Sequence, residues 1–269
     1  MNKDYSCPVI QNERLAEKIF RLRFHSPVIA STAQPGQFIN IRVTDGYKPF
    51  WRRPISIHRI NQDEGWVELL IGIVGNGTQL LAGYQDKETL RFLGPLGNAF
   101  SIPDNMEKAI IIAGGLGIAP MLFLTQTLIN KHIPVEIYYG ANTKENLCCL
   151  EEFHKLGANV HFSTDDGTMG FKGFVPDLLM NDLKSKQFSG DRTVVFTCGP
   201  LPMLARVQAI CREFNLPGQV SIETVMACGF GACMGCNVPV KKEKFDGRKY
   251  VLACKDGPVF PIGDILLNG

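Results

Sequence analysis

The sequence predicts a multidomain β plus α/β protein: an antiparallel β-barrel, a doubly wound parallel sheet and a small C-terminal domain organised by cysteines. Three observations carry this. Short strand-like runs separated by turn residues fill the first hundred positions, strand and helix patterns alternate from Lys108, and Cys228, Cys233, Cys236 and Cys254 form a C-x4-C-x2-C-x17-C array. A chain of 269 residues exceeds what one small core organises. The expected domains are 1–103, 104–216 and 217–269.

In the first domain, Ile19 to His25 alternates apolar and charged residues, and Phe38 to Val43 follows the turn Pro35-Gly36. Ile55 to Ile60, Trp66 to Val74 and Thr89 to Leu93 follow at modest spacing, the rhythm of an antiparallel barrel. In the second domain, strands over 109–113, 135–139, 160–164 and 193–197 alternate with helices over 118–130, 144–156, 174–183 and 201–214, which predicts a parallel sheet with helices on both faces. The last domain holds a short strand after Pro217, the cysteine loop and a hairpin around Phe245-Asp246-Gly247-Arg248. A unit this small needs a bound centre to fold.

Composition is that of an intracellular, cytoplasmic protein: 45% hydrophobic, 20% charged, net charge +2. No bulk field steers a nucleic acid. The start, Met1 to Pro8, lacks the basic and apolar run of a signal peptide. Residues 109–130 carry no charge and match a bilayer span in length, but Gly114-Gly115, Gly117 and Pro120 interrupt them. The expectation there is strand, turn and helix, with no membrane span.

The four-cysteine spacing is that of a plant-type [2Fe-2S] centre. Structural zinc usually takes two C-x2-C pairs, whereas here Cys233 and Cys236 form one and Cys254 stands alone. Gly229, Gly231, Ala232 and Gly235 let the loop wrap closely and aim N–H groups at sulfur. Cys7, Cys148, Cys149 and Cys211 read as small core residues. The five histidines show no metal-ligand spacing and read as structural or solvated.

Three further motifs point to phosphate. In Trp51-Arg52-Arg53-Pro54-Ile55-Ser56, a guanidinium and a hydroxyl flank a strand entry and can fork onto a diphosphate, although an arginine beside a strand is commonplace. Gly75-Asn76-Gly77-Thr78 opens a short helix, which is equally the signature of an ordinary turn with a capping threonine. Gly115-x-Gly117-x-x-Pro120 lies between strand and helix, where a dinucleotide would approach, with proline in place of the third glycine.

Together with Gly94-Pro95-Leu96-Gly97, the turn from Thr164 to Gly170, Cys198-Gly199-Pro200 and Glu223-Thr224-Val225-Met226, these motifs resemble the electron-transfer subunits of class 1B dihydroorotate dehydrogenase. That family sits within the ferredoxin reductase superfamily, and the resemblance spans essentially the whole chain. It implies an FAD-binding barrel, an NAD-binding sheet and a [2Fe-2S] domain. Arg53, Pro54, Ile55, Ser56, Leu70, Ile71, Gly72, Gly77 and Thr78 would meet FAD. Gly115, Gly117, Pro120, Cys198, Gly199 and Pro200 would meet NAD(H), with Cys198 equally readable as a packed thiol. Cys228, Cys233, Cys236 and Cys254 would hold the cluster.

The resemblance further implies a partner: an FMN-containing catalytic subunit, two copies of each chain forming a heterotetramer. Electrons would pass from that FMN through the cluster and FAD to NAD+ in pyrimidine biosynthesis, with no acid–base residue required of this chain. Two other readings stay open. One is the diaphorase subunit of another complex, such as a sulfide dehydrogenase, an NADP transhydrogenase or a hydrogenase; the other is a non-catalytic redox sensor or scaffold. The segment after Tyr139, Gly140 to Lys144, offers neither an acid for a ribose hydroxyl nor an arginine for a 2′-phosphate, so NAD and NADP are not separated there.

Overall fold

In the computed structural model, residues 4–185 and 192–267 are described; Met1, Asn2 and Lys3 of the N-terminal stretch read above lie outside them. Strands β1 (Asp4–Ala16), β2 (Ile19–His25), β3 (Phe38–Arg42), β4 (Arg53–Asn61), β5 (Trp66–Gly72) and β6 (Thr89–Leu96) close an antiparallel barrel in the order β1-β2-β5-β4-β3-β6. Alternation places Phe20, Leu22 and Phe24 of β2 inside, against Ile39, Ile41, Ile57, Leu69 and Phe92. Each such side chain, withdrawn fully from water, contributes about 1.5–3 kcal/mol before entropy is counted. Strand β1 was not expected: its run Gln11-Asn12-Glu13-Arg14 is polar throughout, with Asn12 and Glu13 half-buried, which hides the alternation. Helix α1 (Pro27–Thr32), too short to show a period, plugs one barrel end with buried Ile29 and Ala30.

Helix α2 (Asn76–Ala82) bridges β5 and β6. Beyond the barrel come β7 (Lys108–Gly114), α3 (Met121–Asn130), β8 (Val135–Ala141), α4 (Leu150–Lys155), β9 (Asn159–Thr164), β10 (Phe171–Lys172), α5 (Val175–Ser185), β11 (Thr193–Cys198), α6 (Leu201–Glu213) and β12 (Gly218–Ser221). The cysteine segment adds β13 (Asn237–Pro239), β14 (Tyr250–Leu252) and β15 (Val259–Pro261). The sheet order is β10-β9-β8-β7-β11-β12-β15, parallel throughout except for β15. On β7, Ile111 faces the layer containing Leu122, Leu124 and Phe153, while Ile110 and Ile112 face Leu179, Leu204 and Val207. Both faces are thus covered, the condition a parallel sheet requires.

The uncharged stretch folds as β7, a 3-10 turn over Gly115–Ile118, and α3. Among the described residues no helix is long and apolar enough to cross a membrane. The helix expected over 144–156 is interrupted, with a 3-10 turn at Lys144–Asn146 and α4 starting only after Cys149, whose φ of 62° breaks the run. The expected hairpin is β13 with β14.

A buried polar joint binds barrel to sheet. Glu68 of β5 is fully buried and pairs with Arg23 at 2.6 Å, while Arg21 reaches Glu152 of α4 at 2.8 Å and Glu68 at 3.7 Å. Beside it His58 is also fully buried, its Nδ1 2.6 Å from the Ala119 carbonyl and its Nε2 3.7 Å from Cys149 Sγ. His58 is therefore a satisfied interior histidine.

Candidate functional site

The barrel is split on one side. Strands β4 and β5 pair only from Ile57↔Leu69 to Asn61↔Trp66, so residues 53–56 and 70–72 run on without bonding each other. Between them opens a cleft of about 290 Å³. Arg53, Pro54, Ile55, Ser56, Leu70, Ile71, Gly72 and Thr78 all line it. Gly77 lies just behind: a Cβ there would fall within 3.0 Å of the Arg53 guanidinium, so the glycine makes room for that side chain. Arg53 is steadied by the Trp51 carbonyl, which accepts from Nη1 at 2.7 Å. The Thr78 hydroxyl accepts from the N–H groups of Val74 and Gly75 at 2.9 and 3.3 Å and donates to the Gly75 carbonyl, so it holds the turn that shapes the cleft rim.

The opposite wall comes from far along the chain. Leu116 and Ala119 follow β7, Glu223, Thr224 and Met226 follow β12, and Pro258 precedes β15. Leu116 presses on Gly72 so closely that a Cβ at Gly72 would meet it within 3.0 Å. Such a cleft, apolar along one strand edge and carrying an arginine and hydroxyls at its rim, fits a flat heteroaromatic ring with a diphosphate tail.

Two residues beyond Met226 the chain enters the cysteine loop. Its sulfurs form two pairs: Cys236 and Cys254 lie 3.2 Å apart and buried, and the Cys233 N–H donates to Cys228 Sγ at 3.4 Å. The Gly231 N–H donates to Cys254 Sγ at 3.1 Å. Burial pushes Cys228 upward, but N–H donors from Cys233, Phe230 and Ala232 outweigh it and bring the thiol down to about 6. Burial and the neighbouring Cys236 thiol push Cys254 up to about 12. Two thiols so close do not ionise together unless a cation lies between them. Among the described residues no three His, Cys, Asp or Glu side chains converge on a single ion. Pairs are what a two-iron cluster uses, two thiolates on each iron, so the donor set fits it.

The loop is anchored from the barrel by a residue that sequence reasoning missed. Asn40 of β3 is fully buried, its Nδ2 donates to the Cys228 carbonyl at 2.8 Å, and its Oδ1 has no partner. Gly229 has φ of 80° and leaves no space for a Cβ above Asn40. No local pattern marks an asparagine inside a strand as a tether, because its partner lies 188 positions away.

A second cleft, about 460 Å³, lies at the carboxyl ends of β7, β8, β9 and β11, where the connections leaving the neighbouring strands β7 and β11 run in opposite directions along the sheet. That is where open α/β sheets bind ligands. Gly115 and Pro200 line it. Gly117, Pro120 and Cys198 are buried behind its wall, and Gly199 is half-buried beside them. A Cβ on Gly117 would strike the Cys198 carbonyl and the Gly199 Cα within 3.0 Å, so this glycine is required by the end of β11 pressing on the turn that follows β7. Burial and the charge of Glu223 push the Cys198 thiol well above its ordinary value. The sequence did not single out Asn142, Asp165, Asp177 or Arg206 for this cleft; Asp177 holds Arg206 at 3.5 Å.

Residues 6–100 match the oxidoreductase FAD-binding domain family, 111–209 the oxidoreductase NAD-binding domain family, and 223–266 the iron–sulfur cluster binding domain of dihydroorotate dehydrogenase B. Over 261 residues the chain is 36% identical to the dihydroorotate dehydrogenase B (NAD(+)) electron transfer subunit of Desulforamulus reducens, covering 97% of each chain. The corresponding Bacillus cereus subunit is 34% identical over 96% of this chain and 97% of its own. Among solved structures, a chain of an NADH-dependent reduced ferredoxin-NADP oxidoreductase superposes with a TM-score of 0.84 at 28% identity, covering 97% of this chain and 90% of that one. A ferredoxin NADP+ reductase from Neisseria gonorrhoeae, with a TM-score of 0.67 and 19% identity over 79% and 92% of the two chains, shares the fold. With its split barrel, parallel sheet and paired cysteines in this order, the chain belongs to the family of dihydroorotate dehydrogenase B (NAD(+)) electron transfer subunits.

Proposed function

We propose that this chain is the electron-transfer subunit of an NAD-dependent dihydroorotate dehydrogenase, acting in the cytoplasm with an FMN-containing catalytic subunit in a heterotetramer of two of each. One observation carries the reading: a cleft suited to flavin and a loop of paired cysteines meet at Met226 to Cys228, in a chain 36% identical end to end to such a subunit. Residues 1–103, 104–216 and 217–269 take the FAD, NAD and cluster roles. Bound FAD exchanges a hydride with nicotinamide and single electrons with a [2Fe-2S] cluster.

The chain's own residues bind and orient. Arg53 and Ser56 meet the FAD diphosphate at the rim; Leu70, Ile71 and Gly72 present a strand edge to the ring; Gly77 makes space for Arg53 and Thr78 fixes the turn. Gly115 and Pro200 border the dinucleotide, with Gly117, Pro120, Cys198 and Gly199 supporting them from behind. Asp165 supplies the acid for a ribose hydroxyl that the segment after Tyr139 lacks, and Asp177 neutralises Arg206, which favours NAD over NADP. Cys228 with Cys233, and Cys236 with Cys254, hold the two irons.

The test is dihydroorotate-dependent NAD reduction by the FMN-containing partner from the same source, with and without this chain. Activity that requires the chain supports the partner and the direction of flow. A second reading, the diaphorase subunit of a ferredoxin-NADP transhydrogenase, draws on the TM-score of 0.84 to such a complex. It gains if the partner assay stays silent while flavin and iron content are full and NADH still bleaches the flavin.

A further inference from the structure

Hydride transfer needs its two rings held about 3–3.5 Å apart at the reacting atoms, and a misplacement of about 1 Å can cost about 100-fold in rate. The two clefts share one piece of chain, the turn after β7. Gly114 and Gly115 line the dinucleotide cleft, while Leu116 and Ala119 line the flavin cleft. Whatever fixes this turn against the barrel therefore fixes one ring against the other. From the barrel, Gly72 meets Leu116 in an apolar contact, which has no preferred direction. His58 adds a directional one, its Nδ1 lying 2.6 Å from the Ala119 carbonyl oxygen.

An irregularity of β4 aims this side chain. Ile57 pairs with Leu69 and Arg59 with Glu68, so His58 is the extra residue of a bulge. Bulges re-aim side chains, and this one falls where β4 and β5 part to open the flavin cleft, just past Ser56. A carbonyl only accepts, so Nδ1 carries the hydrogen. Burial holds the imidazole below its ordinary value, which keeps the ring neutral and leaves Nε2 an acceptor. The Cys149 thiol, 3.7 Å from Nε2, donates to it and fixes that tautomer. His58 thus ties the flavin strand to the shared turn with one nitrogen and to the residue before α4 with the other.

We infer that His58 is a positioning residue for hydride transfer: its Nδ1–H bond to the Ala119 carbonyl sets the separation of the flavin and dinucleotide clefts. This rests on the FAD and NAD readings above. His58 lines neither cleft and exchanges nothing with the substrates. The hydride, one proton with two electrons, passes whole between nicotinamide and flavin, and the imidazole keeps its hydrogen throughout.

The experiment compares three substitutions in the holo-subunit loaded with flavin and cluster. His58→Asn puts an amide nitrogen where Nδ1 stands and keeps the donor to Ala119. His58→Gln puts one where Nε2 stands and loses that donor, and His58→Leu keeps neither. Flavin reduction by saturating NADH slows about 10–100-fold in His58→Leu and His58→Gln, and His58→Asn recovers most of the loss. The NADH concentration giving half the limiting rate stays near that of wild type, because binding is untouched and only the reacting geometry is lost. Reduction by titanium(III) citrate, which involves no nicotinamide, keeps its wild-type rate in all three. The long-wavelength charge-transfer absorbance of the stacked nicotinamide and flavin weakens in His58→Leu and His58→Gln alone.

A readout independent of turnover is amide hydrogen exchange in the resting holo-subunit. Residues 115–119 exchange faster in His58→Leu and His58→Gln than in wild type or His58→Asn, while β7 and β8 are unchanged. Slowing of less than about tenfold in both donor-free variants, equal slowing of the NADH and titanium arms, like behaviour of His58→Asn and His58→Gln, or unchanged exchange over 115–119 overturns the assignment. Where His58→Leu does not fold, the two amide variants carry the comparison by themselves. If NADH fails to bleach the wild-type flavin, the underlying flavin reading falls with it, an outcome distinct from the others.

Discussion

Replacing Asn40 with leucine separates the stability of the fold from the stability of the cluster. Asn40 is fully buried, and its amide donates 2.8 Å to the carbonyl of Cys228 while its own oxygen has no partner. Leucine, close in volume, leaves the Cys228 carbonyl without its donor, a cost of about 1–3 kcal/mol. It also removes the unsatisfied Oδ1, which recovers about the same amount. The two contributions fall in different places: the relief belongs to the barrel core, the cost to the cysteine loop. Global unfolding by denaturant should therefore shift by less than about 1 kcal/mol. The loop, having lost its tether, should open about tenfold more often, the equivalent of ~1.4 kcal/mol. The assay is the rate of iron transfer to a chelator, followed by loss of cluster absorbance, beside a denaturation curve on the same sample. Chelator rates within twofold of wild type, with normal iron loading, would show that the tether does not hold the loop.

Four other perturbations give distinct outcomes. Burial holds the His58 imidazole below its ordinary 6.5, against the opposing pull of the Ala119 carbonyl and Glu68, while the unfolded chain protonates normally. Its contribution is therefore full above about pH 6.5 and is lost as pH falls, so denaturant midpoints should decline less from pH 7.5 to 5.5 in His58→Gln than in wild type; parallel declines would contradict the linkage. Arg53→Ala should weaken FAD retention by roughly 10–100-fold through loss of a charge-assisted fork, read as flavin stoichiometry on dilution. Cys233→Ser should keep FAD and its reduction by NADH but abolish transfer to the partner, and undiminished NAD-linked turnover would sink the electron path. Gly117→Ala forces a Cβ against the Cys198 carbonyl and should cost about 1–3 kcal/mol in global stability; an unchanged denaturation midpoint would mean that the turn after β7 and the end of β11 separate freely.

Local chemistry was legible in the sequence, and convergence was not. The cysteine spacing, the barrel rhythm and the change to alternating strands and helices are periodic or short-range signals, and they appear as written. Strand β1 escaped because both of its neighbours pair with it while its polar run looks like a loop. The second wall of the flavin cleft joins residues from near 116, 223 and 258, a juxtaposition created by tertiary structure alone. Gly117 shows the limit most clearly. A glycine that must lack a Cβ looks the same in sequence whether a cofactor or another stretch of chain fills the space, and here the Cys198 carbonyl fills it.

The path of the last residues bears on how such proteins can be recombined. Strand β12 enters the parallel sheet before the cysteines and β15 returns to it after them, while Asn98 at the barrel end bridges to Pro258. The cysteine-bearing stretch is thus an excursion from a neighbour's sheet rather than an appended bead. A crossover placed just before the first cysteine would leave β12 from one parent to zip against β15 from the other, with mismatched edges. Chimeras cut in the exposed segment 103–105, where no strand is severed and the buried Met106 stays with its sheet, should express as folded proteins, and natural shuffling of these modules would be expected to respect the same seam.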